Sequence, residues 1–421
     1  MHLLPLMPIM LTAFAVKLPL YPRMDLCEIE VAEVEMVTLD APTETMLLRG
    51  CSYRNTWAAK GKVVAGRTGE NFELTADTTR DPGQVRAEYI LDGRNIKVGS
   101  GDAARAGDAI AKDVADWFPW KVPGTKVEIA NNKCNPWTIA GPLPKTELAD
   151  LGWEPQVTAP MPLEALYYLM KEQVDGKTDN VLVGFGYNDD SLVLVTEKFF
   201  QSKPNGIDES TVTDDVLAFC SLVLSYAKAA KDEDTHGVSP KLSLTFMPRT
   251  EFNTLYRQIK PKIPGDLWEL FRILACYKNM RNGEVKIDGD YCDGSESNPE
   301  PNNNFARLKY KNSRVIPHAQ VNINDWIHGI GVLSPFPDRL SGYDESIDRS
   351  IGGLRARTEK MYNSQRSVPI FEFRSLDPIK TSDIKAFMEK VDKTVQGLHE
   401  MFANPPQEQE TPGRRRLCDA H

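Results

Sequence analysis

Glu372 and Arg374 stand two residues apart in the run Ser367-Val-Pro-Ile-Phe-Glu-Phe-Arg-Ser-Leu376. A strand alternates its faces, so Val368, Ile370, Glu372 and Arg374 point one way while Phe371 and Phe373 point the other. That sets a carboxylate beside a guanidinium on one face of a segment whose opposite face is aromatic and fit for burial. An ionic pair next to a core needs a partner or a purpose, because desolvating it costs free energy. A cross-strand salt-bridge network meets that need as well as a ligand site does.

Other residues could receive anions. Arg249 falls between an expected strand, Lys241–Met247, and a helix that Thr250 would cap, a place where anions are commonly held. In Asn95-Ile-Lys-Val-Gly-Ser-Gly-Asp102, Gly99 and Gly101 lie in a turn that opens a helix ending near Trp117. Free backbone N–H groups there can hold an anion, although the spacing is neither G-x-G-x-x-G nor a P-loop and a plain strand-to-helix turn explains it too. Along Arg314–Asn324 the side chains of His318, Gln320, Asn322 and Asn324 share one face, which makes a ligand platform or a solvated sheet face. Arg349, Arg355 and Arg357 could collect phosphate or carboxylate, or line an ordinary charged helix.

These residues need elements to carry them. Runs at Thr56–Gly66, Glu70–Asp77 and Gln84–Leu91 alternate as strands do. Phe72, Leu74 and Ala76 oppose Glu73, Thr75 and Asp77, and Val85, Ala87, Tyr89 and Leu91 oppose Arg86, Glu88 and Ile90. Acidic groups thus recur on the polar faces of adjacent strands. Residues 119–160, rich in Pro, Gly and Trp, read as an ordered excursion or linker. A helix opens at Pro160-Met-Pro162, and Val181–Tyr187 with Ser191–Phe200 reads as a hairpin across Asn188-Asp-Asp190. Helices follow at Asp214–Lys231, from Thr250, at Gly265–Met280, from Asp325, and behind Thr381-Ser-Asp383, the last with Ile384, Phe387, Met388, Val391, Val395, Leu398 and Met401 on its apolar side. The acidic stretch 288–304 fails the EF-hand template, since Cys292 and Asp293 fall where a ligand and a glycine belong, and reads as a solvated loop or lid.

The expected fold is α+β: a mostly antiparallel sheet with a polar active face and helices packed on its other face. A segment 1–40, a signal or disordered, precedes one domain at 41–403, and a disordered tail follows at 404–421. Among 421 residues the formal net charge is -9, so no positive field would gather a phosphate backbone, and nucleic acid is not an expected partner. Residues 1–20 are apolar but broken by Pro5, Pro8 and Pro19 and lack a leading positive charge, so neither a membrane span nor a regular secretory signal is expected. Seven cysteines without C-x-x-C spacing fit free thiols, and no Asn-x-Ser/Thr occurs. The reading is cytoplasmic, with export as the alternative, in which case Cys51 and Cys134 would pair.

The order of the pieces resembles the amidoligases, within the wider glutamine-synthetase and glutamate–cysteine-ligase group of carboxylate–amine ligases. The matching parts are short: the late Phe371-Glu-Phe-Arg374 element before Leu376-Asp-Pro and a helix from Ser382, the early acidic strands at Glu73–Asp77 and Glu88, and a middle strand at 241–250 or at His318. An acidic Gly-x-Glu-x-Glu opening strand and a His-x-His are missing. The resemblance implies ATP and Mg2+ as cofactors and a small amino-acid-like substrate bearing carboxylate and amine groups. It implies Glu73, Glu88 and Glu372 as metal ligands, and Gly99, Gly101 and Asn322 around the nucleotide. Arg374 and Arg249 would neutralise a transferring phosphoryl group, while His318 and Asn322 would orient substrate or take the amine proton.

Other classes stay open: a non-catalytic small-molecule or protein binding module on the same scaffold, or an aminoacyl-transfer enzyme that makes peptides. The latter would carry Asp-Asp-x-x-Glu, and Asp214-Asp-Val-Leu-Ala218 ends in alanine. A serine hydrolase would carry Gly-x-Ser-x-Gly, which is absent.

Overall fold

The computed structural model describes residues 35–40, 47–49, 58–69, 71–78, 84–93, 95–117, 122, 124–139, 151–176, 179–184, 190–202, 207, 212–236, 245–263, 265–275, 292–293, 300–301, 327, 329–331, 356–374 and 376–403. In chain order the elements begin with β1 (Glu35–Asp40), β2 (Leu47–Arg49), β3 (Lys62–Gly69), β4 (Phe72–Thr78), β5 (Gln84–Asp92) and α1 (Asp102–Asp116). Then come β6 (Lys126–Val127), β7 (Trp137–Ile139), β8 (Gly152–Pro160), α2 (Leu163–Val174), α3 (Asp190–Gln201) and α4 (Asp214–His236). They continue through β9 (Phe246–Pro248), α5 (Phe252–Ile259), α6 (Leu267–Ala275), β10 (Cys292–Asp293) and β11 (Glu300–Pro301). Last are β12 (Thr358–Lys360), β13 (Ser367–Phe373), β14 (Ile379–Lys380) and α7 (Ile384–Ala403).

Among the described residues twelve strands form one sheet in the order β12-β13-β8-β1-β5-β2-β7-β6, with β9 also beside β13, β14 beside β8, and β4 then β3 beside β5. The named ladders are antiparallel, as the sequence led us to expect. Residues opposite one another in such a ladder share a face. Phe371 and Phe373 of β13, Trp153, Val157 and Ala159 of β8, Tyr89 of β5 and Leu74 of β4 therefore lie on one side, and all are buried. Helices α1 and α7 meet that side. The Tyr89 hydroxyl donates to Asp113 Oδ2 at 2.6 Å, and Trp153 Nε1 donates to Thr381 Oγ1 at 2.8 Å, just ahead of α7. The two helices pack closely at Gly107, where an added Cβ would come within 2.9 Å of Met388 Cγ and 3.1 Å of Lys385 Cα.

The other side carries Glu372, Thr158, Gln156, Glu154, Glu88, Arg86, Glu73, Thr75 and Asp77. It is open at Glu154 and Glu73 and closed at Thr158 and Glu372, so this polar face runs from solvent into the protein.

Several expectations change. Residues 35–40, assigned to the leading segment, form β1 between β8 and β5. Within 119–160, read as an excursion, lies the nine-residue strand β8; Pro155 and Pro160 hide it in the sequence because proline cannot donate to a ladder. The second arm of the expected hairpin, Ser191–Phe200, is instead part of helix α3. Its Leu192, Val193, Val195, Thr196, Phe199 and Phe200 are buried, and packing against α2 and α4 overrides the strand preference of β-branched and aromatic residues. Thr250 is not a helix cap: α5 starts behind Glu251, and no side chain caps it. Met401 is exposed. Cys134 is disulfide-bonded, against the expectation of free thiols, whereas Cys220 is a buried free thiol. Among the described residues no helix is long and apolar enough to cross a membrane.

Candidate functional site: an arginine–glutamate centre on the polar face

The pairing of β9 with β13 builds the centre. Met247 stands opposite Glu372, and the Arg249 backbone N–H donates to Ile370 O at 2.8 Å, so Arg249 falls on the polar side one step along. Its Nη1 donates to Glu372 Oε2 at 2.9 Å, and Arg374 Nη1 lies 3.4 Å from Glu372 Oε1. The side chains are 14%, 7% and 17% exposed for Arg249, Glu372 and Arg374, so little water screens them. Arg374 is further held by its backbone N–H to Thr245 O at 2.9 Å and lies 3.7 Å from Met247 Sδ.

Tyr226 of α4 comes over the same centre and is buried. Burial, then the charge of Glu372, pushes its phenol above the ordinary range, while Arg374 and Arg249 oppose that rise. Two guanidiniums against one carboxylate leave this set one positive charge in excess. Glu372 holds one guanidinium by a hydrogen bond and the other as an ion pair, and guanidiniums so placed suit an anion with oxygen acceptors.

Thr250 ties a third arginine in. Its hydroxyl accepts the Ile370 N–H at 2.8 Å and donates to Arg357 O at 2.6 Å. Arg357 Nε and Nη2 both donate to Glu359 Oε1, at 2.9 and 2.7 Å.

The other candidate residues that the structure describes are not gathered with this centre. Glu88 lies three strands from β13 and four residues along from the level of Glu372, about 14 Å sideways and about 13 Å lengthwise. Its Oε2 accepts from Thr75 Oγ1 at 3.3 Å. Glu73 is exposed, four strands from β13. Around Glu88, Arg86 joins Asp77 at 3.4 Å and Glu154 at 3.3 Å, and Lys60 pairs with Asp77. Glu73, Glu88 and Glu372 therefore do not form one metal ligand set, and among the described residues no three of His, Cys, Asp or Glu gather to hold a metal ion. Both Glu372 oxygens face guanidiniums, so the centre fits an anion and does not by itself fit Mg2+.

The turn at Gly99 and Gly101 does hold an anion, but an internal one. Gly99 N–H donates to Asp392 Oδ1 at 2.6 Å and Gly101 N–H to Asp392 Oδ2 at 3.3 Å, docking α7 onto the start of α1. A nucleotide phosphate would have to displace that carboxylate, so these two glycines are corrected from cofactor contacts to a structural nest. His318 and Asn322 lie outside the described residues.

A separate open cleft of about 280 Å³ is lined by Leu163, Glu164, Asp215, Lys262 and Arg366, among others. Its charges are matched within the protein: Arg366 forks onto Glu164 at 2.8 Å, and Lys262 reaches Asp215 at 2.6 Å.

Two residues of the centre escape sequence reading. Tyr226 sits in a helix whose spacing signals only core, and Thr250 looks like a cap. A polar hydroxyl on an otherwise apolar stripe was the available signal for Tyr226.

No protein-family model and no curated protein matches the chain. Two solved structures are similar to it at low superposition. One is a Vibrio cholerae toxin from the MARTX/VgrG family, 11% identical, covering 84% of this chain and 93% of that one with a TM-score of 0.28. The other is a glutamate-to-glutamine mutant of the ACD domain of a VgrG Vibrio cholerae toxin in complex with ADP and Mn2+, 11% identical, covering 82% and 92% with a TM-score of 0.30. TM-scores this low do not establish a common fold.

Proposed function

We propose that the chain is an ATP-dependent carboxylate–amine ligase for a small amino-acid-like substrate, with Arg249 and Arg374 as its anion-holding groups. The observation that carries this reading is the Glu372 carboxylate set between two guanidiniums at the closed end of a polar sheet face. It coincides with the Glu-x-Arg element that resembles the amidoligases. Bound ATP would supply a phosphoryl group to the substrate carboxylate, giving an acyl phosphate from which an amine displaces phosphate. Arg249 and Arg374 meet the negative charge on the transferring group, and Glu372 holds them in place so that they need not reorganise when that charge develops. His318 and Asn322 keep the role of orienting substrate or taking the amine proton. Mg2+ enters through the resemblance alone, and no step is assigned to it.

Nucleic acid and membrane play no part in this reading. A cytoplasmic setting suits ATP, whereas the Cys134 disulfide belongs to an oxidising compartment and favours the export alternative.

A second reading, a non-catalytic anion-binding module, is favoured by the pairing of both Glu372 oxygens inside the protein. Thermal melting with ATP and Mg2+, paired with an ADP assay, separates the two. A ligase gives a melting shift with ATP and forms ADP when carboxylate and amine are present; a binder gives the shift alone. Absence of any shift overturns the ligase reading and excludes ATP as the anion of a binding module.

A further inference from the structure

We infer that the open cleft where α2, α4 and β13 begin is a site for a small zwitterion, a free amino acid held by its ammonium and its carboxylate at once. The inference goes beyond the ligase reading and does not rest on it.

Space and lining come first. The cleft holds about 280 Å³, near the small end of the range for ligand sites. Leu163 at the start of α2 and Ile259 at the end of α5 are buried and give it an apolar lining. Its charged groups come as two ion pairs, Arg366 with Glu164 and Lys262 with Asp215. Two cations and two anions sum to zero, so a lone anion or a lone cation would leave the cleft charged. A molecule that carries one charge of each sign leaves it neutral.

Such a molecule need not break either pair. Arg366 Nη2 forks onto both Glu164 oxygens, and its Nη1 donates to Phe402 O at 3.3 Å, which leaves further guanidinium N–H donors without a partner among the described residues. Lys262 Nζ spends one donor on Asp215, and an ammonium carries more. These two side chains are 36% and 44% exposed, within reach of a molecule entering from solvent. Their spare donors fit a carboxylate.

Asp215 is the fixed point for the ammonium. Its side chain is 6% exposed, and its Oδ1 accepts from the Val216 N–H at 3.0 Å and from the Thr213 hydroxyl, so the carboxylate is held in place while Oδ2 faces Lys262. A carboxylate oxygen has room for a second donor beside the first. The neighbouring Asp214 reports the local field: partial burial, then the charges of Asp215, Glu164 and Glu197, raise its carboxyl above the ordinary range. Negative charge therefore gathers at the α4 end, which draws the ammonium there and turns the ligand's carboxylate toward Arg366 and Lys262.

This place is separate from the arginine–glutamate centre. Arg366 stands just before β13 and six positions ahead of Glu372, about 20 Å along an extended strand. One small amino acid does not reach both.

Calorimetric titration of the full chain with alanine, leucine and glutamine at neutral pH tests this, beside leucinamide, which lacks the carboxylate, and N-acetylleucine, which lacks the ammonium. At least one of the three amino acids should bind, and leucinamide and N-acetylleucine should bind more weakly than leucine or not at all. Lys262→Met, at an exposed position the fold can spare, should weaken the bound amino acid about tenfold, and Lys262→Arg should weaken it less. Arg374→Met should leave this binding unchanged. The inference is overturned if none of the three amino acids binds, if either blocked form binds as well as leucine, or if Lys262→Met keeps the wild-type affinity. Loss of binding in Arg374→Met overturns it too, since the amino acid would then sit at the arginine–glutamate centre. Failure of the ligase reading shows separately, as absence of ADP formation while an amino acid still binds.

Discussion

Arg249 and Glu372 are separated by 123 positions in the chain and joined by one hydrogen bond of 2.9 Å, in a place where neither side chain is more than 14% exposed. The bond exists because β9 lies along β13, and it couples the residue just past the end of one strand to the next-to-last residue of another. Removing the carboxylate would take from two guanidiniums the counter-charge they share. Glu372→Ala should therefore cost about 3–5 kcal/mol in urea unfolding, and Glu372→Gln, which keeps the shape and one acceptor, about 1–3 kcal/mol. Equal stability of Glu372→Ala and wild type would mean that the pair is not formed.

His399 should make stability depend on pH. It is fully buried in α7; its Nδ1 accepts the Tyr362 N–H at 2.9 Å and its Nε2 lies 2.7 Å from Pro160 O, so the ring is neutral with its proton on Nε2. Burial lowers its pKa, and the Pro160 carbonyl opposes that only in part. Since the unfolded histidine takes up its proton more readily, the contribution is whole above the ordinary imidazole value of about 6.5 and is lost as pH falls through the depressed folded value. Melting curves between pH 8 and pH 5 should show the wild type losing stability on the acid side, and His399→Gln should show a shallower fall. Parallel curves for the two proteins would contradict this.

The nest at α1 should tolerate little change. Gly99 has φ +75°, and a Cβ there would come within 2.5 Å of the Tyr362 ring, so Gly99→Ala should cost about 1–3 kcal/mol. Asp392→Asn weakens a charged acceptor shared by two backbone N–H groups and should cost about 1–2 kcal/mol. If added ATP shifted hydrogen exchange at Gly99 and Gly101, the nest would be binding nucleotide after all.

What the sequence discloses follows from range. Alternation in β4 and β5 is local, and Val85, Ala87, Tyr89 and Leu91 are buried as their spacing predicts. The same holds for α1, which ends one residue before Trp117, and for Glu372 and Arg374 sharing a face. β8 was unreadable because two prolines break its pattern, and α3 because its β-branched residues speak for a strand until α4 packs on them. The meeting of Arg249 with Glu372 and the capture of the Gly99 turn by Asp392 depend on contacts between distant segments. No spacing within either segment encodes them.

The central claim is that Arg374 and Arg249 hold the phosphoryl charge of an ATP-dependent ligation, and ADP release tests it most directly. Wild type and Arg374→Met would be compared with ATP, Mg2+ and a mixture of free amino acids with ammonium, after circular dichroism shows both folded. The expected result is ADP formation by the wild type that depends on added carboxylate and amine, lowered about a hundredfold or more in Arg374→Met. Equal ADP release by the two proteins, or none from the wild type, would contradict it.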